Sequence, residues 1–287
     1  MPFSGTITAL VTPFKEGKPD EQGLRNNIRF QIDAGIDALL VLGTTGEGAT
    51  LSTEERQRVI QIAVEEKKVP VIVNVGDLST ATTIEKVKIA ETLGADGLLI
   101  MPPYYNRPSQ EGLALHFESI ASETSLPIIL YNHPTRAGVD LSLELLVRLA
   151  TKKNIIGIKD ASGSIRYAAQ IRNKLPNFRL FAGDDLMSLP FLAIGAEGLV
   201  SVLSNLIPRK IGEMVKNRDQ ALYEALFPLM DAAQIETNPI PIKAMMGFVK
   251  LPAGAPRLPL TGPTLKHRQL LRELVFGSSL IPKVIHE

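Results

Sequence analysis

Short apolar runs rich in Val, Ile and Leu recur along the chain about every 20–30 residues, the spacing of one βα unit. They fall at residues 7–11, 38–42, 69–74, 97–101, 128–131, 155–159, 180–182 and 199–202. Each run is nearly continuous rather than alternating, the pattern of parallel strands covered on both faces. Amphipathic stretches lie between them. The clearest covers residues 52–66, with Val59, Ile60, Ala63 and Val64 on one side. At its start Ser52 and Glu55 form a capping box, each side chain placed to satisfy the other's backbone N–H.

An internal echo supports a repeated layout. Gly35-Ile36-Asp37, Gly94-Ala95-Asp96 and Gly195-Ala196-Glu197 each stand just before an apolar run. A glycine there supplies the left-handed conformation that ends a helix, and an acidic step then leads into the next strand. Eight runs predict a closed (β/α)8 TIM barrel over residues 1–217. Beyond residue 218 the strand signal stops. Residues 221–236, 241–249 and 265–275 read as helices, with a proline-rich stretch at 251–263 before the last. Residues 218–287 are therefore expected to form a helical extension packed on the barrel and on another subunit.

Composition narrows the chemistry. The chain has 287 residues, a length that one α/β barrel fills alone, with 45% hydrophobic and 21% charged residues. A net charge of +1 without a long basic run argues against nucleic acid as a partner. No apolar stretch is long enough to span a bilayer, and the first residues lack the pattern of a signal peptide, which points to the cytoplasm. With no cysteine, disulfides, thiolate metal sites and thiol nucleophiles are excluded. His116, His133, His267 and His286 are scattered, so no metal or other cofactor is expected. Lys, Tyr, Thr, Arg and carboxylates must do the work.

In this fold the active site lies where the strands end at their C-terminal side. Nearly all the lysines sit in helical or loop segments, where their heads should reach water. Lys159 instead closes the run Ile155-Ile156-Gly157-Ile158. Burial there lowers its pKa and makes a neutral amine available for Schiff-base chemistry with a carbonyl. The alternative is an ion pair with Asp160 or another acid. Tyr131 ends the preceding strand, close enough to share a pocket with Lys159 and relay protons, or else to serve as a core tyrosine.

Gly43-Thr44-Thr45-Gly46-Glu47-Gly48 follows the second strand. It reads either as a cradle for a small carboxylate or as a tight turn with no ligand. Pro102-Pro103-Tyr104-Tyr105-Asn106-Arg107-Pro108 makes a stiff aromatic loop suited to the pocket or to a subunit contact. Arg136, just past Tyr131, is placed to hold a carboxylate bidentately or to pair on the surface. All these residues fall at one end of the barrel.

The set resembles the dihydrodipicolinate synthase / N-acetylneuraminate lyase family of class I aldolase-type barrels. The resemblance runs from Thr8-Ala9-Leu10-Val11-Thr12-Pro13-Phe14 to Arg257-Leu258-Pro259-Leu260-Thr261. It rests on Gly43-Thr44-Thr45-Gly46-Glu47, the Tyr104-Tyr105 loop, Leu130-Tyr131-Asn132 and Ile156-Gly157-Ile158-Lys159-Asp160. It implies that Lys159 forms a Schiff base with pyruvate, with Thr44, Tyr105 and Tyr131 as the proton relay. Tyr105 would come from a neighbouring subunit of a homotetramer, a dimer of dimers.

Thr45 would bind the pyruvate carboxylate, and backbone around Gly183 and Val200 would complete the pocket. Arg136 would take the carboxylate of aspartate semialdehyde in the synthase branch, which Asn238-Pro239-Ile240-Pro241 also resembles. An aldolase of 2-keto-3-deoxy sugar acids using the same lysine is the alternative, and a non-catalytic barrel is the reading from another class.

The departures lie at the rim and beyond it. Asn74-Val75-Gly76-Asp77-Leu78 replaces the family's usual Gly-Thr-Gly-Ser/Ala-Asn, His133 a small apolar residue, and Ala137 a threonine. Many members bind lysine as an inhibitor through polar groups at the positions of Gly48, Thr53, Arg56, Leu78 and Thr82. Here most of those groups are absent, although Tyr104 remains. Weak or absent inhibition by lysine is expected, because a buried charge without partners is costly.

Overall fold

The computed structural model describes residues 3–281. Among these, eight parallel strands close into a barrel: β1 (Gly5–Ala9), β2 (Ala38–Val41), β3 (Val71–Asn74), β4 (Gly97–Ile100), β5 (Ile128–Asn132), β6 (Ile155–Asp160), β7 (Arg179–Ala182) and β8 (Gly198–Ser201). Each strand pairs with its sequence neighbour, and β1 pairs with both β2 and β8. The expected TIM barrel is therefore the observed fold. A two-stranded hairpin, Phe14–Lys15 with Lys18–Pro19, follows β1.

The main helices that follow the successive strands are α1 (Glu21–Asp33), α2 (Thr53–Glu66), α3 (Thr80–Thr92), α4 (Gln110–Ser122), α5 (Leu143–Leu149), α6 (Ile165–Lys174), α7 (Ser188–Ala193) and α8 (Pro208–Asn217). The capping box on α2 is present, with Ser52 accepting from the Glu55 N–H and Glu55 from the Ser52 N–H. Three more helices follow: α9 (Gln220–Ala232), α10 (Ile240–Phe248) and α11 (Leu265–Gly277). Their apolar residues Leu226, Met230, Met245, Met246 and Leu271 join the same core as the outer faces of the strands. No helix among the described residues is long and apolar enough to cross a membrane.

The repeated Gly-x-acid step works as a joint. Gly35, Gly94 and Gly195 all have positive φ, between 84° and 93°, which a side chain would strain. Two residues later an acidic side chain accepts the N–H of a residue in the neighbouring strand. Asp37 takes Thr6 at 2.7 Å, Asp96 takes Val71 at 2.8 Å and Glu197 takes Leu180 at 2.7 Å. Strand ends at the floor of the barrel are thus satisfied without water.

Side chains alternate between two cores. Ile7, Ala9, Leu40, Ile72, Leu99, Ile129 and Phe181 fill the lumen, and Phe3 joins them. Leu39, Val41, Val73, Leu98, Ile100, Leu130 and Leu180 face the helices. The alternation breaks once, on β6. Ile128 pairs with Ile155 but Ile129 with Gly157, so Ile156 is a surplus residue in a β-bulge. Ile156 packs against the lumen cluster while Ile158 belongs to the outer one. The bulge reverses the phase, so Lys159 faces the lumen. Gly157 permits it: a Cβ there would lie 2.5 Å from the Arg179 carbonyl oxygen.

Candidate active site

The phase set by the bulge decides between the two readings of Lys159. Asp160, one residue on, points the other way and is held by Asn132 Nδ2 at 2.8 Å and Ser162 Oγ at 2.8 Å. Lys159 forms no ion pair with it. Its Nζ instead stands 4.1 Å from the centre of the Tyr131 ring, and only 7% of the residue is exposed. Burial brings its pKa down to about 7, and the nearby Arg136 guanidinium pushes the same way, against Asp185 and Asp184. An amine in this state is neutral about half the time near pH 7 and can attack a carbonyl.

Tyr131 pairs directly with Lys159 across β5 and β6, which places both side chains in one lumen. Burial pushes its phenol up to about 12, with Arg136 and a hydrogen bond with Thr44 working against that rise. The phenol therefore keeps its proton at neutral pH, as a relay requires.

Lys159 and Tyr131 border a cavity of about 570 Å³ at the C-terminal ends of the strands. Thr44, Thr45, His133, Arg136, Gly183, Asp184, Asp185 and Asn238 border it too. The turn that carries the two threonines is tight, with Glu47 N–H on the Thr44 carbonyl at 3.1 Å and Gly48 N–H on that of Gly43 at 3.2 Å. Thr45 Oγ1 accepts from Asn238 Nδ2 at 2.9 Å, which leaves its own proton free for a ligand carboxylate.

The rim holds groups of both signs. Arg136 sits on the one-turn helix Pro134–Ala137, exposed at the mouth. His133, just before it, lies edge-on to Tyr131 with ring centres 5.8 Å apart. Burial, Arg136 and Lys159 depress its pKa to about 4, so the imidazole is neutral at physiological pH. Burial raises Asp185 to about 6, although Ser201 Oγ, Leu203 N–H and Val202 N–H all donate to it.

Gly183 lines the cavity, where a Cβ would meet the Asp160 carbonyl at 2.8 Å. Val200 lies in the lumen cluster with Tyr131, while Val202 reaches the cavity surface.

Two residues depart from the gathering. Tyr105 is 90% exposed and does not line this chain's cavity, and its φ of 70° is strained for a non-glycine residue. Lys243 corrects the expectation that lysines outside the strands reach water. It is buried on α10, with Nζ 2.5 Å from Glu47 Oε1 and both side chains 1% exposed. An amphipathic helix sequence gives no sign of a partner so distant along the chain.

Asp184, Asp185 and the Asn238–Thr45 contact were also missed as site features. The aspartates had a usable signal, since Gly183-Asp184-Asp185 follows a strand end as Thr44 and Arg136 do. The Asn238 contact depends on how the extension folds back and has no local signature.

Comparison with known proteins agrees with this geometry. Residues 2–276 match the dihydrodipicolinate synthetase family. A 4-hydroxy-tetrahydrodipicolinate synthase of Syntrophus aciditrophicus is 43% identical over 291 residues, covering 97% of this chain and 99% of the relative. The dihydrodipicolinate synthase structure from Aquifex aeolicus superposes with a TM-score of 0.95 at 38% identity, covering 98% of this chain and all of that one. The Cyanidioschyzon merolae enzyme, solved with lysine bound, gives 0.93 at 37%, covering 97% and 99%. With the family matched almost end to end and the fold shared throughout, this chain belongs to the dihydrodipicolinate synthetase family.

Proposed function

We propose that Lys159 captures pyruvate and that the cavity condenses it with L-aspartate 4-semialdehyde, the 4-hydroxy-tetrahydrodipicolinate synthase reaction. The neutral amine attacks the keto carbon, and water leaves with a proton supplied through Tyr131 and Thr44. Thr45 donates its hydroxyl proton to the pyruvate carboxylate, and backbone around Gly183 and Val200 closes the pocket below. Loss of a methyl proton to the relay gives the enamine, whose carbon attacks the aldehyde. The amino group of the former semialdehyde then adds to the imine carbon, closes the ring and expels the Lys159 amine.

Arg136 receives the second substrate's carboxylate. No cofactor takes part in these steps. The observation that carries the reading is the unpaired Lys159 amine over the Tyr131 ring.

Borohydride reduction with pyruvate should add the mass of one reduced pyruvyl group to Lys159, and product should form when aspartate semialdehyde is supplied. Normal turnover by Lys159→Ala would end the proposal. Arg136→Ala separates it from cleavage of a sugar acid, since only a carboxylate-bearing aldehyde needs that guanidinium.

Further readings go with it. The bare Tyr105 ring suits donation into a neighbouring subunit's relay, within a homotetramer working in the cytoplasm. Residues 1–217 carry the chemistry, and the extension expected over 218–287, of which 282–287 lie outside the described residues, braces it.

Lysine is expected to inhibit weakly or not at all. Arg56 turns its guanidinium inward onto the carbonyls of Gly48 and Asn74, at 2.7 and 2.9 Å. The hollow beside it holds about 30 Å³, and the side chain of Leu78 offers no polar group. Turnover unchanged as lysine is titrated into the millimolar range supports this reading, and strong cooperative inhibition overturns it.

A further inference from the structure

The buried pair Glu47–Lys243 is poorly explained by stability. Taking two charges out of water costs several kcal/mol per ion, and an apolar pair of the same volume is often as stable or more so. Its connections suggest another purpose. Glu47 lies in the turn that carries Thr44 and Thr45, with a left-handed φ of 50° that the surroundings must hold. Its Oε2 accepts the Arg257 N–H at 2.8 Å. Lys243 Nζ also donates to the Thr12 carbonyl at 3.3 Å, and Thr12 Oγ1 donates to the Gly46 carbonyl at 2.7 Å. Five positions before Lys243, Asn238 fixes Thr45 Oγ1. These bonds close a ring behind the threonine turn, and neither Glu47 nor Lys243 touches the cavity.

We infer that Lys243 and Glu47 are positioning residues for the reaction proposed above. They hold the turn at the height where Thr44 meets Tyr131 and Thr45 meets the substrate carboxylate. A displacement of about 1 Å at such a site costs roughly 100-fold in rate.

The inference rests on the Schiff-base reading, so the pyruvate adduct on Lys159 is measured by borohydride reduction in every protein. An unmodified wild type would reject that reading itself. The key variant is Glu47→Gln/Lys243→Met, which removes both charges and leaves neither unpaired. It should melt cooperatively and still form the adduct at saturating pyruvate. Its KM for pyruvate should rise and its kcat should fall by about 100-fold. Lys243→Arg, which keeps the ion pair, should recover at least a tenth of wild-type kcat, a rescue that bulk stability alone would not produce.

A double variant with kcat within tenfold of wild type overturns the inference, and so does loss of the adduct in a folded protein. If the double variant does not fold, Glu47→Gln decides by the same tenfold criterion.

Discussion

The Lys159 amine lies 4.1 Å from the centre of the Tyr131 ring, and the two residues are direct partners across β5 and β6. A π face accepts a cation weakly and an uncharged amine without penalty, whereas a carboxylate would lock the charge in place. Burial at this point has brought Lys159 to about 7. The rate of pyruvate capture at subsaturating pyruvate should therefore rise with pH through about 7 and level off above it. Quenched borohydride trapping across pH 5–9 would show it, and a flat profile would contradict the assignment.

The same burial makes Lys159 a burden on the fold. Its pKa falls from an unfolded value of about 10.4 to about 7 on folding. The unfolded chain therefore binds more protons between those limits, and stability rises with pH across them. Lys159→Met should melt higher than wild type at pH 7, by roughly 2–4 °C for each kcal/mol relieved. The gain should shrink as pH approaches 10. Thermal melts at pH 6, 8 and 10 test both points.

Tyr131→Phe keeps the ring against the amine and removes only the relay hydroxyl. Turnover should drop by about 10²–10⁴-fold, the usual contribution of general acid–base catalysis, with little change in melting temperature. Thr44→Val should do the same more mildly. Steady-state kinetics beside melting curves would separate the chemical loss from a folding defect.

If Tyr105 serves a neighbour's site, two dead proteins can make a live one. Tyr105→Phe and Lys159→Ala should each be inactive or nearly so. Co-expressed, they should form mixed assemblies in which one chain supplies the amine and the other the phenol. Assay of the purified mixed species should show activity absent from both parents. No recovery would place Tyr105 outside the relay.

Much of this was legible in the sequence because burial and strand spacing are local. Lys159 and Tyr131 stand out as polar residues ending apolar runs. The errors have equally physical origins. The first run, 7–11, extends past β1, which ends at Ala9, because Leu10 and Val11 are buried too; Leu10 N–H still reaches the Leu40 carbonyl at 2.9 Å, but Val11 has left the ladder. Val11 N–H bonds instead to the Asn205 side chain at 2.9 Å. Hydrophobicity reports burial and not pairing. β3 starts at Val71, two residues late, because Pro70 has no N–H to give. Lys243 was illegible because its partner Glu47 lies 196 residues away, and no local pattern encodes a contact of that range.

The surplus residue in β6 makes catalysis a matter of counting. With Ile156 in place, the sixth strand delivers its only amine to the interior. Were Ile156 paired opposite Ile129 instead of bulged out, every residue after it would slip by one, presenting that amine to the surrounding helices and an isoleucine to the substrate. Such a barrel would keep its shape and hold no nucleophile. Parity along six residues of one strand thus separates a working enzyme from an inert relative of the same architecture.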